Sequence, residues 1–93
     1  MFSNHLGLLY TIELTRPAAD KLQQQTSKVS DRITDKLNWL ATNFPALTPL
    51  PLTGDLAGLY KLRVGDYRVI YSFDPELQII TVHNLGHRRE IYE

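Results

Sequence analysis

Alternating apolar and polar residues at the start of the chain, and again in its last third, predict a sheet. Residues 8–14, "LLYTIEL", alternate around Tyr10, Ile12 and Leu14 and are rich in strand-forming types. Three later segments have the same character and predict strands over 59–64, 67–73 and 77–85.

Between the first and second of these strands, the apolar residues recur at helical spacing. Thr15 is a suitable N-cap, and Pro17 occupies a tolerated position in the first turn of a helix over 16–26. The sequence "TSKVS" predicts a break, after which a second helix starts at Ser30. One stripe identifies this helix: Val29, Ile33, Leu37, Leu40 and Phe44.

Residues 45–58 contain three of the five prolines and two of the five glycines, so they predict an extended connection and no regular element. The order is therefore β-α-α-β-β-β. We expect a single α+β domain over residues 1–93, with a two-helix hairpin packed on a largely antiparallel four-stranded sheet.

The dipeptide Gly65-Asp66 predicts a two-residue hairpin turn, which fixes the register of the strands around it. Arg63 then lies directly opposite Arg68. One face of the hairpin is apolar and is expected to pack on the helices: Tyr60, Leu62, Val64, Tyr67, Val69 and Tyr71. The other face carries Lys61, Arg63, Arg68, Ile70 and Ser72.

Directly opposed like charges destabilise a hairpin by something under about 1 kcal/mol. A phosphate bound between Arg63 and Arg68 would remove this cost, because the guanidinium fork fits phosphate oxygens. The segment "LGHRREIYE" follows the last strand and reaches the same face if that strand pairs with the hairpin. The alternative is a solvated surface on which these cations pair with nearby acids: Asp66, Asp74, Glu76 and Glu90.

Composition excludes several classes of functional site. The chain has 10 basic and 10 acidic residues, which counts against a uniformly basic nucleic-acid binder. It contains no cysteine, its three histidines lack metal-ligand spacing, and it has no glycine-rich phosphate loop. We therefore expect no cofactor and no metal. The absence of a long apolar run or signal-peptide pattern predicts a cytoplasmic protein without membrane contact.

The segments "LYKLRVGDYRVIY" and "LGHRREIY" resemble the RelE/ParE toxin superfamily, and within it the RelE-like branch. The resemblance covers about residues 8–92 and implies a RelE-like fold. It also implies a toxin of a type II toxin–antitoxin module that cleaves mRNA in the ribosomal A site without a metal. The RNA 2′-hydroxyl attacks its own neighbouring phosphate. The implied partners are a cognate antitoxin, the ribosome with its mRNA, and promoter DNA through the antitoxin complex.

The resemblance also implies roles for the hairpin cations. Arg68 would hold the scissile phosphate and stabilise its developing charge. Lys61 and Arg63 would contact RNA, one as base toward the 2′-hydroxyl and the other as a phosphate contact. Lysine is the more plausible base, because arginine does not lose its proton.

In the tail, Arg88 would contact phosphate, and Arg89 is a further RNA-binding candidate. His87 is expected to protonate the leaving 5′-oxygen, since imidazole changes charge near neutral pH. Tyr92 would stack on a splayed base or orient the 2′-hydroxyl.

Two other functions remain open from the sequence. A ParE-like chain would inhibit DNA gyrase without catalysis, through a binding surface. An inactive relative would only hold its antitoxin. The grouping of Lys61, Arg63, Arg68, Arg88 and Tyr92 favours the nuclease.

Overall fold

The computed structural model describes residues 9–91, which form two helices and five strands. In chain order they are β1 (Thr11–Leu14), α1 (Arg16–Gln23), α2 (Ser27–Asn43), β2 (Leu50–Pro51), β3 (Tyr60–Val64), β4 (Tyr67–Asp74) and β5 (Ile79–His87). Short 3-10 turns occupy Phe44–Ala46 and Gly54–Leu56. Within these residues, no helix has the length and apolar character needed to cross a bilayer.

Threonine caps begin both helices. The Thr15 hydroxyl accepts a hydrogen bond from the Ala18 amide at 3.3 Å, as the sequence predicts. Thr26 does the same for α2, accepting from the Val29 amide at 3.3 Å. The prediction that "TSKVS" breaks the chain until Ser30 is therefore wrong, because Thr26 caps α2 and the helix begins at Ser27. The first helix accordingly ends at Gln23, earlier than predicted.

The sheet has the order β1-β5-β4-β3-β2, so β5 lies between the first strand and the hairpin. β1 pairs with β5 in parallel, and the other pairs are antiparallel. The α+β order and the largely antiparallel sheet are confirmed, but the sheet has five strands and not four. The added strand, β2, comprises two residues, in which Leu50 pairs with Lys61 and Pro51 with Tyr60. The sequence did not predict β2, because prolines are typical of connections. A proline is tolerated in β2 because β2 is an edge strand.

The hairpin register agrees with the prediction at all five pairs, from Tyr60 with Tyr71 to Val64 with Tyr67. Its apolar face packs on the helices, as expected. Twelve buried residues form the main core: Ala18, Ile33, Leu37, Leu40, Phe44, Leu62, Val64, Val69, Tyr71, Ile80, Val82 and Leu85.

Part of the opposite face, which we call the outer face, is also covered. Leu52 packs there with Ile70 and Ile91 in a second cluster, to which Leu56 and Leu59 contribute. The Leu52 amide donates to the Leu59 carbonyl oxygen at 2.9 Å, which closes the connection over the sheet. The connection predicted to be irregular therefore shields the outer face beside the hairpin.

A β-bulge interrupts the pairing of β4 with β5. Ile70 pairs with Asn84 but Tyr71 pairs with Val82, so His83 has no partner in the register. Such an extra residue shifts the alternation of side chains along the strand. Val82 faces the core before the bulge, and Leu85 faces the core after it.

Tyr71 gives the fold a dependence on alkaline pH. Its side chain is 2% exposed, and burial, followed by the neighbouring Tyr60, raises its pKa from 10.0 to about 12. The unfolded chain therefore loses this proton first. We expect the contribution of Tyr71 to the free energy of unfolding to be fully present below pH 10. This contribution should fall by about 2–3 kcal/mol as the pH rises to about 12.

Urea unfolding of the wild type and of Tyr71→Phe between pH 8 and pH 12 measures this loss, because the variant retains every other titrating group. The wild-type stability should fall more steeply than that of the variant above pH 10. Parallel curves would show that the Tyr71 hydroxyl does not titrate as described.

Candidate functional site

The paired arginines lie in one row across the outer face. Arg63 on β3 pairs with Arg68 on β4, and Arg68 pairs in turn with Gly86 on β5. Directly paired residues project to the same side, with Cβ atoms about 4.5–5.5 Å apart. The expectation that the side chains of Arg63 and Arg68 leave the sheet on the same face is therefore correct.

Arg68 is held in place by the backbone of its own turn. Its Nη1 donates to the Gly65 carbonyl oxygen at 2.9 Å and to the Tyr67 carbonyl oxygen at 2.9 Å. The residue is only 9% exposed. Two fixed acceptors on one nitrogen define the plane of the guanidinium, so its orientation is set before any ligand arrives.

The turn itself depends on glycine. Gly65 has φ +60, a left-handed conformation that L side chains adopt at a cost. An added Cβ would also lie 2.5 Å from Nη2 of Arg32 on α2. The side chain of Arg32 therefore packs against the hairpin turn, and sequence analysis missed it because Arg32 adjoins the core stripe without belonging to it.

Arg88 reaches the same turn from β5. Its amide donates to the Asp66 carbonyl oxygen at 2.7 Å, and its Nε lies 3.8 Å from Asp66 Oδ1. Both side chains are more than half exposed, at 57% and 69%, so the ion pair itself contributes little to stability. The structure thus brings Arg32, Arg63, Arg68 and Arg88 to one end of the molecule, around Gly65 and Asp66.

The expectation that His87 joins the arginines on the outer face is wrong. His87 pairs with Tyr67, and the two rings meet edge to face with centroids 5.4 Å apart. Tyr67 packs against the main core, so His87 lies on the helix side of the sheet. It lines a pocket of ≈ 470 Å³ with Tyr67, Glu90 and residues of α1.

The hydrogen bonds of His87 join it to the turn that follows β5. Its Nδ1 accepts from the Arg89 amide at 3.1 Å, and its carbonyl oxygen accepts from the amides of Glu90 and Ile91. His87 thus organises the turn that carries Arg88 and Arg89.

The other predicted site residues fall at different distances from the arginine row. Lys61 lies two residues before Arg63 on the same face of β3, about 7 Å along the strand. Arg89 is exposed in the turn after β5. The prediction for Tyr92 lies outside the described residues.

Three further side chains contribute to the outer face, and sequence analysis gave none of them a role in the site. Ser72 Oγ and His83 Nε2 lie 2.7 Å apart, so the imidazole on this face is His83. Glu90 Oε1 would lie 3.2 Å from a Cβ on Gly86, which places the carboxylate over the position opposite Arg68. His83 and Glu90 line a hollow of ≈ 300 Å³ with Ile70, Asn84 and Ile91. Alternation from Val82 already places His83 on this side, and the bulge places Asn84 there as well.

Chemically, the arrangement suits a phosphodiester. Fixed guanidinium groups stabilise negative charge that develops on phosphate oxygens, and they need no reorganisation during the reaction. A largely apolar hollow beside them, lined in part by Leu56, Leu59 and Ile70, offers space for a neighbouring base. The same groups would also suit a surface that binds an anion without catalysis. The geometry alone therefore indicates a negatively charged ligand and does not identify a reaction.

Comparison with known proteins identifies related sequences along most of the chain. A family model described as "ParE toxin of type II toxin-antitoxin system, parDE" matches residues 12–92. Toxin RelE of Mycobacterium tuberculosis is 30% identical over 83 residues, which covers 89% of this chain and 86% of the relative. Toxin RelG of the same organism is 26% identical over 83 residues, with 89% and 95% covered.

Solved structures of toxins have the same fold. The toxin–antitoxin complex RelBE2 of Mycobacterium tuberculosis contains a chain with a TM-score of 0.79 and 25% identity, covering 89% of this chain and 95% of that one. The archaeal RelE–RelB complex of Pyrococcus horikoshii gives 0.69 and 28% identity, with 89% and 99% covered. The isolated RelE toxin of Escherichia coli gives 0.69 at 21% identity, with 84% and 83% covered, and supports the fold alone.

Proposed function

Because this chain belongs to the RelE/ParE superfamily of type II toxin–antitoxin toxins, we propose that it is an mRNA endoribonuclease that acts in the ribosomal A site. The observation that carries the proposal is the row of Arg63 and Arg68, in which two like charges are paired directly and one is held rigidly by backbone carbonyls. A surface selected for stability alone has no reason to oppose these charges. The guanidinium forks of both residues fit the oxygens of an RNA phosphate.

In the proposed reaction, the 2′-hydroxyl oxygen bonds to the adjacent phosphorus while the bond from phosphorus to the 5′-oxygen breaks. The 2′-hydroxyl proton leaves to a base, the 5′-oxygen takes up a proton, and a 2′,3′-cyclic phosphate results. Arg68 would stabilise the charge that builds on the phosphate oxygens. Arg63 and Arg88 would hold phosphates beside it, and Lys61 is the proposed base.

His87 is not part of this proposal as a proton donor, because it lies on the helix side of the sheet against Tyr67. We expect His87→Asn to keep the cleavage rate within about tenfold of the wild type, since the amide oxygen of asparagine can accept the bond from the Arg89 amide. A general acid would contribute about 10²–10⁴-fold. Cleavage rates measured across the pH range decide between these roles: a loss beyond 100-fold, with the acidic limb of the profile changed, would restore His87 as the acid.

We further propose that a cognate antitoxin binds and neutralises this chain, as RelB accompanies RelE in the complexes of Mycobacterium tuberculosis and Pyrococcus horikoshii. Promoter DNA would be bound through that complex. Co-purification of the chain with the product of an adjacent open reading frame tests the partner.

The second candidate is a gyrase inhibitor, which the match to the ParE family model favours. The relative named Toxin RelE, 30% identical to this chain, favours the nuclease instead. Inducing the chain without antitoxin separates the two functions. Primer extension should find cuts inside translated regions, and these should vanish when the start codon of the reporter mRNA is removed. Intact transcripts together with trapped double-strand DNA breaks would overturn the nuclease proposal in favour of the gyrase inhibitor.

A further inference from the structure

A second hollow lies on the helix side of the hairpin tip, between α2 and β3. It has a volume of ≈ 430 Å³ and is lined by Arg32, Asp35, Lys36 and Trp39 of α2, and by Arg63 through Gly65 of the hairpin. None of the α2 residues is used by the proposed cleavage chemistry. The hollow opens to solvent at the end of the molecule where the arginine row lies.

Three of the α2 residues share one face of the helix. Arg32, Lys36 and Trp39 are spaced at i, i+4 and i+7, which places them within a narrow arc over about 10 Å. This arc lies beside the core stripe and not within it. The side chains therefore form a line that leads along α2 away from the hairpin turn.

Cations outnumber acids around this hollow within residues 9–91. Arg32 and Arg63 form no ion pair within residues 9–91, and Lys36 directs its ammonium to the Trp39 ring, 3.8 Å from the centroid. Asp35 supplies the carboxylate among the lining residues. In a chain with zero net charge, three cations against one acid make a local positive field that attracts an anion.

Trp39 adds an aromatic surface to these cations. It is 41% exposed, although tryptophan is usually well covered in folded domains. It also borders a smaller apolar groove of ≈ 140 Å³ with Leu47, Pro49 and Leu50. A flat, exposed ring beside a line of cations is the combination that binds single-stranded nucleic acid, with bases on the ring and phosphates on the cations.

Arg63 connects this hollow to the arginine row. β2 pairs with β3 only at Tyr60 and Lys61, so the edge of β3 at Arg63 is open. The side chain of Arg63 can therefore line the hollow while its backbone position belongs to the row with Arg68. A strand bound at Arg68 has a continuous positive path around this edge.

We propose that the α2 hollow binds single-stranded RNA, with phosphates on Arg32, Lys36 and Arg63 and one base stacked against Trp39. This inference extends the proposed function, because the RNA cleaved at Arg68 would continue past Arg63 onto α2. Lys36 lies over the ring, so a phosphate bound to its ammonium brings the adjoining base within reach of the indole.

The test uses the intrinsic fluorescence of Trp39, the single tryptophan of the chain. The purified chain is titrated with a 2′-O-methyl oligouridylate of about eight nucleotides, which lacks the attacking hydroxyl and cannot be cleaved. We expect quenching, and a dissociation constant on the order of 10⁻⁵ M or tighter at low salt. A fluorescein-labelled copy of the same oligonucleotide reports binding independently by anisotropy.

Variants separate stacking from charge. Trp39→Leu should weaken binding by about 5- to 100-fold in the anisotropy assay, and Trp39→Phe should weaken it less, since phenylalanine keeps a stacking face. The double variant R32Q/K36Q should reduce the slope of log affinity against log salt by about 1.4, which corresponds to two lost phosphate contacts. Arg16→Gln is the matched control, because Arg16 is 90% exposed on α1 and lies outside the hollow; it should leave the affinity unchanged. Circular dichroism confirms that each variant is folded.

Two results would overturn the proposal. One is RNA binding by anisotropy without any change in Trp39 fluorescence, and with equal affinity in every variant. The other is equal quenching by an oligoglutamate peptide of the same length, which would assign the hollow to an acidic protein segment. Normal mRNA cleavage by the Trp39→Leu variant, together with no quenching of Trp39 fluorescence by RNA in the wild type, would remove this inference alone. RNA binding in the hollow without any mRNA cleavage would remove the proposed nuclease alone.

Discussion

Replacing Arg68 with alanine is expected to lower the rate of mRNA cleavage by about 10²–10³-fold, the cost of losing one preorganised donor to a developing negative charge. The effect should be large because the guanidinium is oriented in advance by the carbonyls of Gly65 and Tyr67 and is nearly buried. Cleavage of a reporter mRNA on purified ribosomes measures the rate directly.

The same substitution removes two charge-assisted hydrogen bonds to the turn, so it also lowers the free energy of unfolding, by about 1.5–3 kcal/mol per bond lost. Arg68→Lys separates the two effects, because lysine keeps the charge and loses the fork. Arg16→Ala serves as the control for loss of a surface cation. A folded Arg68→Ala chain that cleaves at the wild-type rate would exclude Arg68 from the reaction.

The largest effect on stability is expected at Phe44, where α2 ends. Its ring contacts those of Tyr10 and Phe73 at centroid distances of 4.8 Å each, and that of Tyr71 at 6.1 Å. Phe44→Ala would leave a cavity among these rings and should reduce the free energy of unfolding by about 3–5 kcal/mol. A domain of this size is stable by only about 5–15 kcal/mol, so the loss is a large part of the total.

Urea unfolding followed by circular dichroism measures this loss. Phe44→Leu is the matched variant, because it fills most of the space but loses the ring contacts; we expect a cost below about 1.5–2 kcal/mol. An alanine variant less stable than the wild type by under about 1 kcal/mol would show that the ring cluster relaxes around the gap.

The hairpin was predictable because its register depends on local chemistry. Gly65 and Asp66 define the turn, and alternation then assigns every pair up to Tyr60 with Tyr71. The core stripe of α2 was predictable for the same reason, since Ile33, Leu37 and Leu40 follow one helical period.

The position of His87 was not predictable, because it depends on a bulge. Counting alternate residues from Val82 puts His87 on the outer face, whereas the extra residue at His83 reverses the alternation and turns His87 toward the helices. The same reversal puts Gly86 opposite Arg68. A bulge in the middle of an apolar strand leaves no local sequence signal comparable to the Gly65-Asp66 turn.

Two other features depend on contacts between segments far apart in the chain. Leu50 and Pro51 form a strand only because β3 offers them an edge. Arg32 reaches the hairpin tip because its long side chain extends from α2 to Gly65. No periodicity within either segment indicates these contacts. For the same reason, the net charge of zero does not indicate that four arginines meet at one end of the molecule.

The central place of β5 has a consequence for how the chain is made. β1 is the first strand to be synthesised, yet it pairs with β5, the last strand. One edge of β4 also pairs with β5. Such distant pairings form late, because a long loop must close before they contribute. The nascent polypeptide is therefore expected to stay incompletely folded until residues 79–87 emerge from the exit tunnel.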